Sequence, residues 1–167
     1  SYLCKELLGH NVSLFMSEKE GSDHFLPSAL LDLALFEQTC LDDGRPRFND
    51  LAQRLNCHVA DFMDLDNNLK SPEALSRVAA TEPDLILSIR FGLILPQTII
   101  DLPKYGVINL HSGLLPVYRG VMATFRAMLN GDVFIGSTLH FITDPSIDRG
   151  AIIATMSVPL KSNLSYT

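Results

Sequence analysis

The chain has 167 residues, 47% of them hydrophobic and 19% charged, with a formal net charge of −6. That balance describes a folded, soluble globular protein, one domain over 1–167 by size, with no basic bulk surface for nucleic acid. Cys4, Cys40 and Cys57 lack zinc or disulfide-framework spacing, and no apolar run has membrane-spanning or signal-peptide character, so a cytoplasmic protein without a membrane partner is expected.

In chain order, 2–8 reads as a short helix and "NVSLFMS" (11–17) as a strand with a polar exit. "SALLDLALFEQ" (28–38) has the apolar density of a buried helix, and "LDDGRPR" (41–47) is a loop broken by Gly and Pro. An amphipathic helix over 48–56 precedes a short strand over 57–62. Residues 71–81 form a helix that Ser71 caps and Pro72 opens. "DLILSIRFG" (84–92) and "YGVINLH" (105–111) are near-continuous apolar strands, separated by a short helix or turn over 95–103. A helix over 121–132 is stopped by Asn130-Gly131, and strands over 134–142 and 151–160 flank a Pro- and Asp-bearing loop over 143–150.

Alternating helices and strands imply an α/β fold with a doubly wound, mostly parallel sheet. Such halves open with a strand, whereas this chain opens in helix pattern, so the expected sheet lacks its first strand, as a fragment or an unusually short form would. Ligands bind doubly wound sheets beyond the carboxyl ends of the strands. Arg90-Phe91-Gly92, Asn109-Leu110-His111 and 143–148 all follow strand ends, which places three candidate features on one edge.

Asn109 and His111 stand two apart on a strand and leave the same face. An amide beside an imidazole suits acyl transfer: the amide donates to a developing oxyanion, and the imidazole polarises the same oxygen or moves a proton. Asp148, in "DPSIDRG", could orient the imidazole or relay a proton. Taken singly, an Asn-x-His pair and a turn Asp more often serve loop hydrogen bonds, and Asp144 before Pro145 reads as turn chemistry. His140 reads as a satisfied sheet-face histidine, and His10, His24 and His58 have no partner in sequence reach. No Gly-x-Ser-x-Gly, Gly-x-Gly-x-x-Gly or phosphate-loop motif is present, and no metal set is expected.

Four ordered pieces, "FGLILP" (91–96), "GVINLHSGLLPVYRG" (106–120), "GSTLHFI" (136–142) and "DPSIDRGAII" (144–153), together resemble the 10-formyltetrahydrofolate-dependent formyltransferases. The resemblance implies a Rossmann-like catalytic domain that uses 10-formyltetrahydrofolate as co-substrate and passes its formyl group to a primary amine. It implies catalysis by Asn109, His111 and Asp148, with Asn109 on the formyl oxygen. It also implies a pterin grip by Phe91, Gly92, Leu93, Ile94 and Leu95 together with Ile142, Asp144 and Ile147. The family pattern carries Ser where Gly113 stands. The expected acceptor is a small molecule, the amine of a nucleotide-linked amino sugar. Methionyl-tRNA, or a non-catalytic folate-binding role, is the alternative.

Overall fold

The computed structural model describes residues 7, 9–17, 48–57 and 59–160. The helix expected over 28–38 and the loop over 41–47 lie outside these residues, as does the helix over 2–8 apart from Leu7. The chain divides into two compact units after Met63.

In the first unit, strand β1 (Leu14–Phe15) pairs in parallel with β2 (Val59–Ala60), with Leu14 opposite Val59. Helix α1 (Phe48–Leu55) lies between them in sequence, as a parallel pair requires of its connection. Phe62 follows β2, is buried, and stacks on Phe15 with ring centres 5.5 Å apart. Both strands are shorter than the apolar runs that foretold them.

The second unit carries a four-stranded sheet in the order β3 (Ile86–Ile89), β4 (Val107–His111), β5 (Phe134–Ile142), β6 (Ile152–Pro159). Helix α2 (Pro72–Ala79) precedes it. The Ser71 hydroxyl accepts the Ala74 N–H at 3.1 Å, and Pro72 occupies the first helical position, where its missing N–H costs nothing. Ala74 and Val78 are the buried stripe of α2. Helix α3 (Gln97–Ile100) buries Ile99 and Ile100, and α4 (Ala123–Leu129) ends at Asn130 and at Gly131, whose φ is 74°. Tyr118, Ala123 and Ala127 form a buried apolar cluster against Ile135 of β5.

The α/β class holds, and the sheet is mixed. β3 and β4 run parallel, while β4–β5 and β5–β6 are antiparallel. The connection from β5 to β6 is too short for a parallel crossover and closes as a hairpin. This moves one feature from its expected place. Ile142, the last residue of β5, lies opposite Val107, the first residue of β4, so the 143–151 segment leaves the sheet at the edge away from His111. Gly150 lets it fold back closely, because a Cβ there would stand 1.7 Å from the Phe141 carbonyl oxygen. No helix among the described residues is long and apolar enough to cross a membrane.

Candidate active site

Register assembles the site. Asn109 of β4 lies opposite His140 of β5, and His111 lies opposite Thr138, so all four side chains share one face. Among the described residues of the unit, His111, Thr138 and His140 are the buried polar ones, and each has hydrogen-bond partners. Buried polar groups that are satisfied hold one geometry, and here they hold the strand pair and the loops above it in a fixed arrangement.

Asp148 reaches this face from the returning 143–151 segment, at a φ of 51°. A short polar residue tolerates that left-handed backbone better than most. Its Oδ2 accepts the Gly120 N–H at 2.7 Å and lies 3.4 Å from His111 Nδ1. Its Oδ1 accepts from Asn109 Nδ2 at 3.2 Å and lies 3.3 Å from His140 Nε2. The Asp148 main-chain carbonyl accepts from Arg119 Nε at 3.1 Å. One carboxylate thus joins both strands and the loop after β4.

The ring partners constrain the protons. His140 Nδ1 lies 2.8 Å from the Phe141 carbonyl, which can only accept, so Nδ1 donates, and in a neutral ring Nε2 then carries the lone pair. Asn109 Nδ2 donates to that Nε2 at 3.1 Å. Both hydrogens of the Asn109 amide are therefore engaged, one by Asp148 and one by His140. His111 Nε2 donates to the Tyr118 carbonyl at 2.6 Å, which leaves Nδ1 as the ring position facing Asp148. Thr138 Oγ1 donates to the Gly113 carbonyl at 2.7 Å and accepts the Leu115 N–H at 3.1 Å, pinning the turn after β4. The Tyr118 hydroxyl donates to Asp132 at 2.6 Å, and that carboxylate raises the phenol above its usual range.

Asn109, His111 and Asp148, read from the sequence as a possible centre, are brought together. The segments expected to grip a pterin are tied to each other by residues next to them. Phe91, Gly92, Leu93, Ile94 and Leu95 run from the end of β3 to Gln97, whose Nε2 donates to the Thr143 carbonyl at 3.2 Å. Ile142 closes β5; Asp144 is exposed and accepts the Ser146 N–H at 2.7 Å. The Ser146 hydroxyl first, and then that N–H, hold its carboxyl below the usual range. Ile94 and Ile147 are exposed apolar side chains on the two tied segments, and Ile147 stands beside Gly120. Among the described residues, no group of three or more His, Cys, Asp and Glu side chains could hold a metal ion.

His140 is a buried, hydrogen-bonded sheet-face histidine as expected, while its contacts with Asn109 and Asp148, and the place of Thr138, were not read from the sequence. The usable signal was the repeat of form: "NLH" in one strand and "TLH" in the next place a polar residue and a histidine two apart, and antiparallel pairing sets them face to face. The roles of the Tyr118 carbonyl and the Gly120 N–H belong to the main chain, and side-chain identity does not announce them.

A family model described as formyl transferase matches residues 43–167. By sequence the chain is 41% identical over 96 residues to the methionyl-tRNA formyltransferase of Macrococcus caseolyticus, covering 58% of this chain and 31% of that protein. The chain thus spans about a third of the length of that curated relative. By fold it is similar to the phosphoribosylglycinamide formyltransferase of Anaplasma phagocytophilum, with a TM-score of 0.64 and 20% identity over 92% of this chain and 73% of the other. It is also similar to a formyltetrahydrofolate deformylase from Pseudomonas syringae pv. tomato, with a TM-score of 0.61 and 23% identity over 92% of this chain and 52% of the other. Since the family match runs through β4, β5 and the Asp148 segment, the chain belongs to the formyl transferase family.

Proposed function

We propose that the chain transfers a formyl group from 10-formyltetrahydrofolate to a primary amine at Asn109, His111 and Asp148. The observation that carries this reading is the Asp148 carboxylate, which holds the Asn109 amide and faces Nδ1 of His111 on one buried strand face. The donor supplies an activated formyl carbon whose oxygen gains negative charge as the amine nitrogen attacks.

Asn109 turns one N–H from Asp148 or His140 to that oxygen, exchanging a long hydrogen bond for one to a developing oxyanion. His111 Nδ1 takes the proton that the amine loses, and Asp148 stabilises the resulting imidazolium. The same proton returns to the departing cofactor nitrogen as the carbon–nitrogen bond breaks. Apolar side chains at Leu93, Ile94, Leu95, Ile142 and Ile147 suit a flat, partly apolar pterin, and Phe91, Gly92 and Asp144 border it. These assignments rest on the tie between the two segments at Gln97 and Thr143.

For the acceptor we infer the amino group of methionyl-tRNA, on the strength of the 41% identity to a methionyl-tRNA formyltransferase. The nucleotide-linked amino sugar expected from the sequence has no support from that relative. The test is an acceptor screen that follows tetrahydrofolate release from 10-formyltetrahydrofolate. Release that depends on methionyl-tRNA is expected. Release that needs an amino-sugar nucleotide would replace the acceptor, and release with no amine present would mark a hydrolase.

A further inference from the structure

Tyr118 is tied at both ends. Its main-chain carbonyl accepts from His111 Nε2 at 2.6 Å, inside the protein. Its hydroxyl donates to Asp132 Oδ2 at 2.6 Å and accepts from Asn130 Nδ2 at 3.1 Å, both on the turn that ends α4. Its N–H donates to the Leu114 carbonyl at 3.1 Å. The Arg126 guanidinium of α4 lies 5.9 Å from the ring centre and also donates to the neighbouring Arg119 carbonyl.

Gly113 keeps the passage between this loop and His111 open. A Cβ on Gly113 would stand 2.8 Å from His111 Nε2, 2.9 Å from the Tyr118 carbonyl oxygen and 2.5 Å from Ala123 Cβ. A serine at that position would therefore push the Tyr118 carbonyl and the imidazole apart unless the loop moved. The absence of a Cβ at Gly113 leaves room for the 2.6 Å contact.

We propose that Tyr118 is a positioning residue, which sets the tautomer and orientation of His111 through its own carbonyl while Asp132 and Asn130 anchor its phenol. The inference rests on the reading of His111 as the group that handles the amine proton. Both ring nitrogens face acceptors, and the 2.6 Å carbonyl contact at Nε2 is much shorter than the 3.4 Å approach of Nδ1 to Asp148, so the carbonyl favours the Nε2–H tautomer of a neutral His111 and leaves Nδ1 to take a second proton in front of Asp148. Loss of the phenol anchor lets the carbonyl drift, and the neutral ring then spreads over both tautomers.

The experiment compares the wild-type chain with Tyr118→Phe, Asp132→Ala and Asp132→Asn. It reads the His111 ring ¹⁵N shifts together with kcat and KM for formyl transfer. In Tyr118→Phe and Asp132→Ala, the Nε2–H tautomer should lose its dominance and kcat should fall about tenfold, with KM for the formyl donor held within about twofold. Asp132→Asn keeps an acceptor for the hydroxyl and should restore most of both. Tyr118→Phe or Asp132→Ala with a lowered melting temperature but wild-type tautomer and kcat would overturn the proposal. If the wild-type chain transfers no formyl group yet Tyr118→Phe redistributes the tautomer, the positioning role stands and the reaction assigned to the site falls.

Discussion

Asn109 is a half-buried amide whose two hydrogens are both in use, and neither bond is short. An amide held this way is aimed before substrate arrives and can exchange one acceptor for a better one as charge develops. Asn109→Ala should lower kcat by about 10²–10³-fold, with folate affinity little changed, because the pterin-facing segments do not depend on that side chain. Parallel kinetics and equilibrium binding check this. Thr138 makes a different demand. Thr138→Val strands the Leu115 N–H and removes the donor to the Gly113 carbonyl, which should cost about 1–3 kcal/mol in urea unfolding. A value near zero would mean that water or a shifted loop satisfies both groups. The Asn109 and His111 pairing was visible in the sequence as a repeat of two. Their partners were less so, since Tyr118 and Gly120 contribute main-chain atoms that any residue carries.

At the scale of elements, the helix signals were the easiest to read. Ser71 and Pro72 sit where capping chemistry places them, and Ser71→Ala should destabilise the second unit by about 1 kcal/mol in thermal or urea unfolding. The pair of Arg77 with Asp64, at 2.8 and 2.6 Å, holds the Asp64 carboxyl below the usual carboxylate range. A depressed native value favours folding above the ordinary range, and that contribution disappears as the pH falls through the native value. Arg77→Gln should therefore lower the neutral plateau of a melting-temperature profile slightly and leave its acid extreme unchanged, which flattens the acid limb. An acid limb identical to wild type would remove the pair from the account. Strand direction was the harder matter. Apolar runs over 134–142 and 151–160 mark strands of either sense, and only the short hairpin between them makes β5 and β6 antiparallel. For the same reason the Asp148 segment was expected at one edge of the sheet, whereas it starts from the other and folds back over the Asn109 face.

At the scale of the molecule, the α/β class and the formyl transferase family were both legible in the sequence. Four short motifs in fixed order constrain a fold more than composition does. The acceptor was not legible in that way. An amine acceptor is chosen by surfaces and loops, while the motifs describe the shared formyl chemistry. The proposed transfer therefore centres on Asn109, His111 and Asp148. Its most direct test is single-turnover formyl transfer from 10-formyltetrahydrofolate to methionyl-tRNA by the wild-type, Asn109→Ala and His111→Ala proteins, with cofactor binding measured alongside. Transfer by the wild type and none detectable in either variant is expected, with folate binding retained. Wild-type rates in both variants would contradict it.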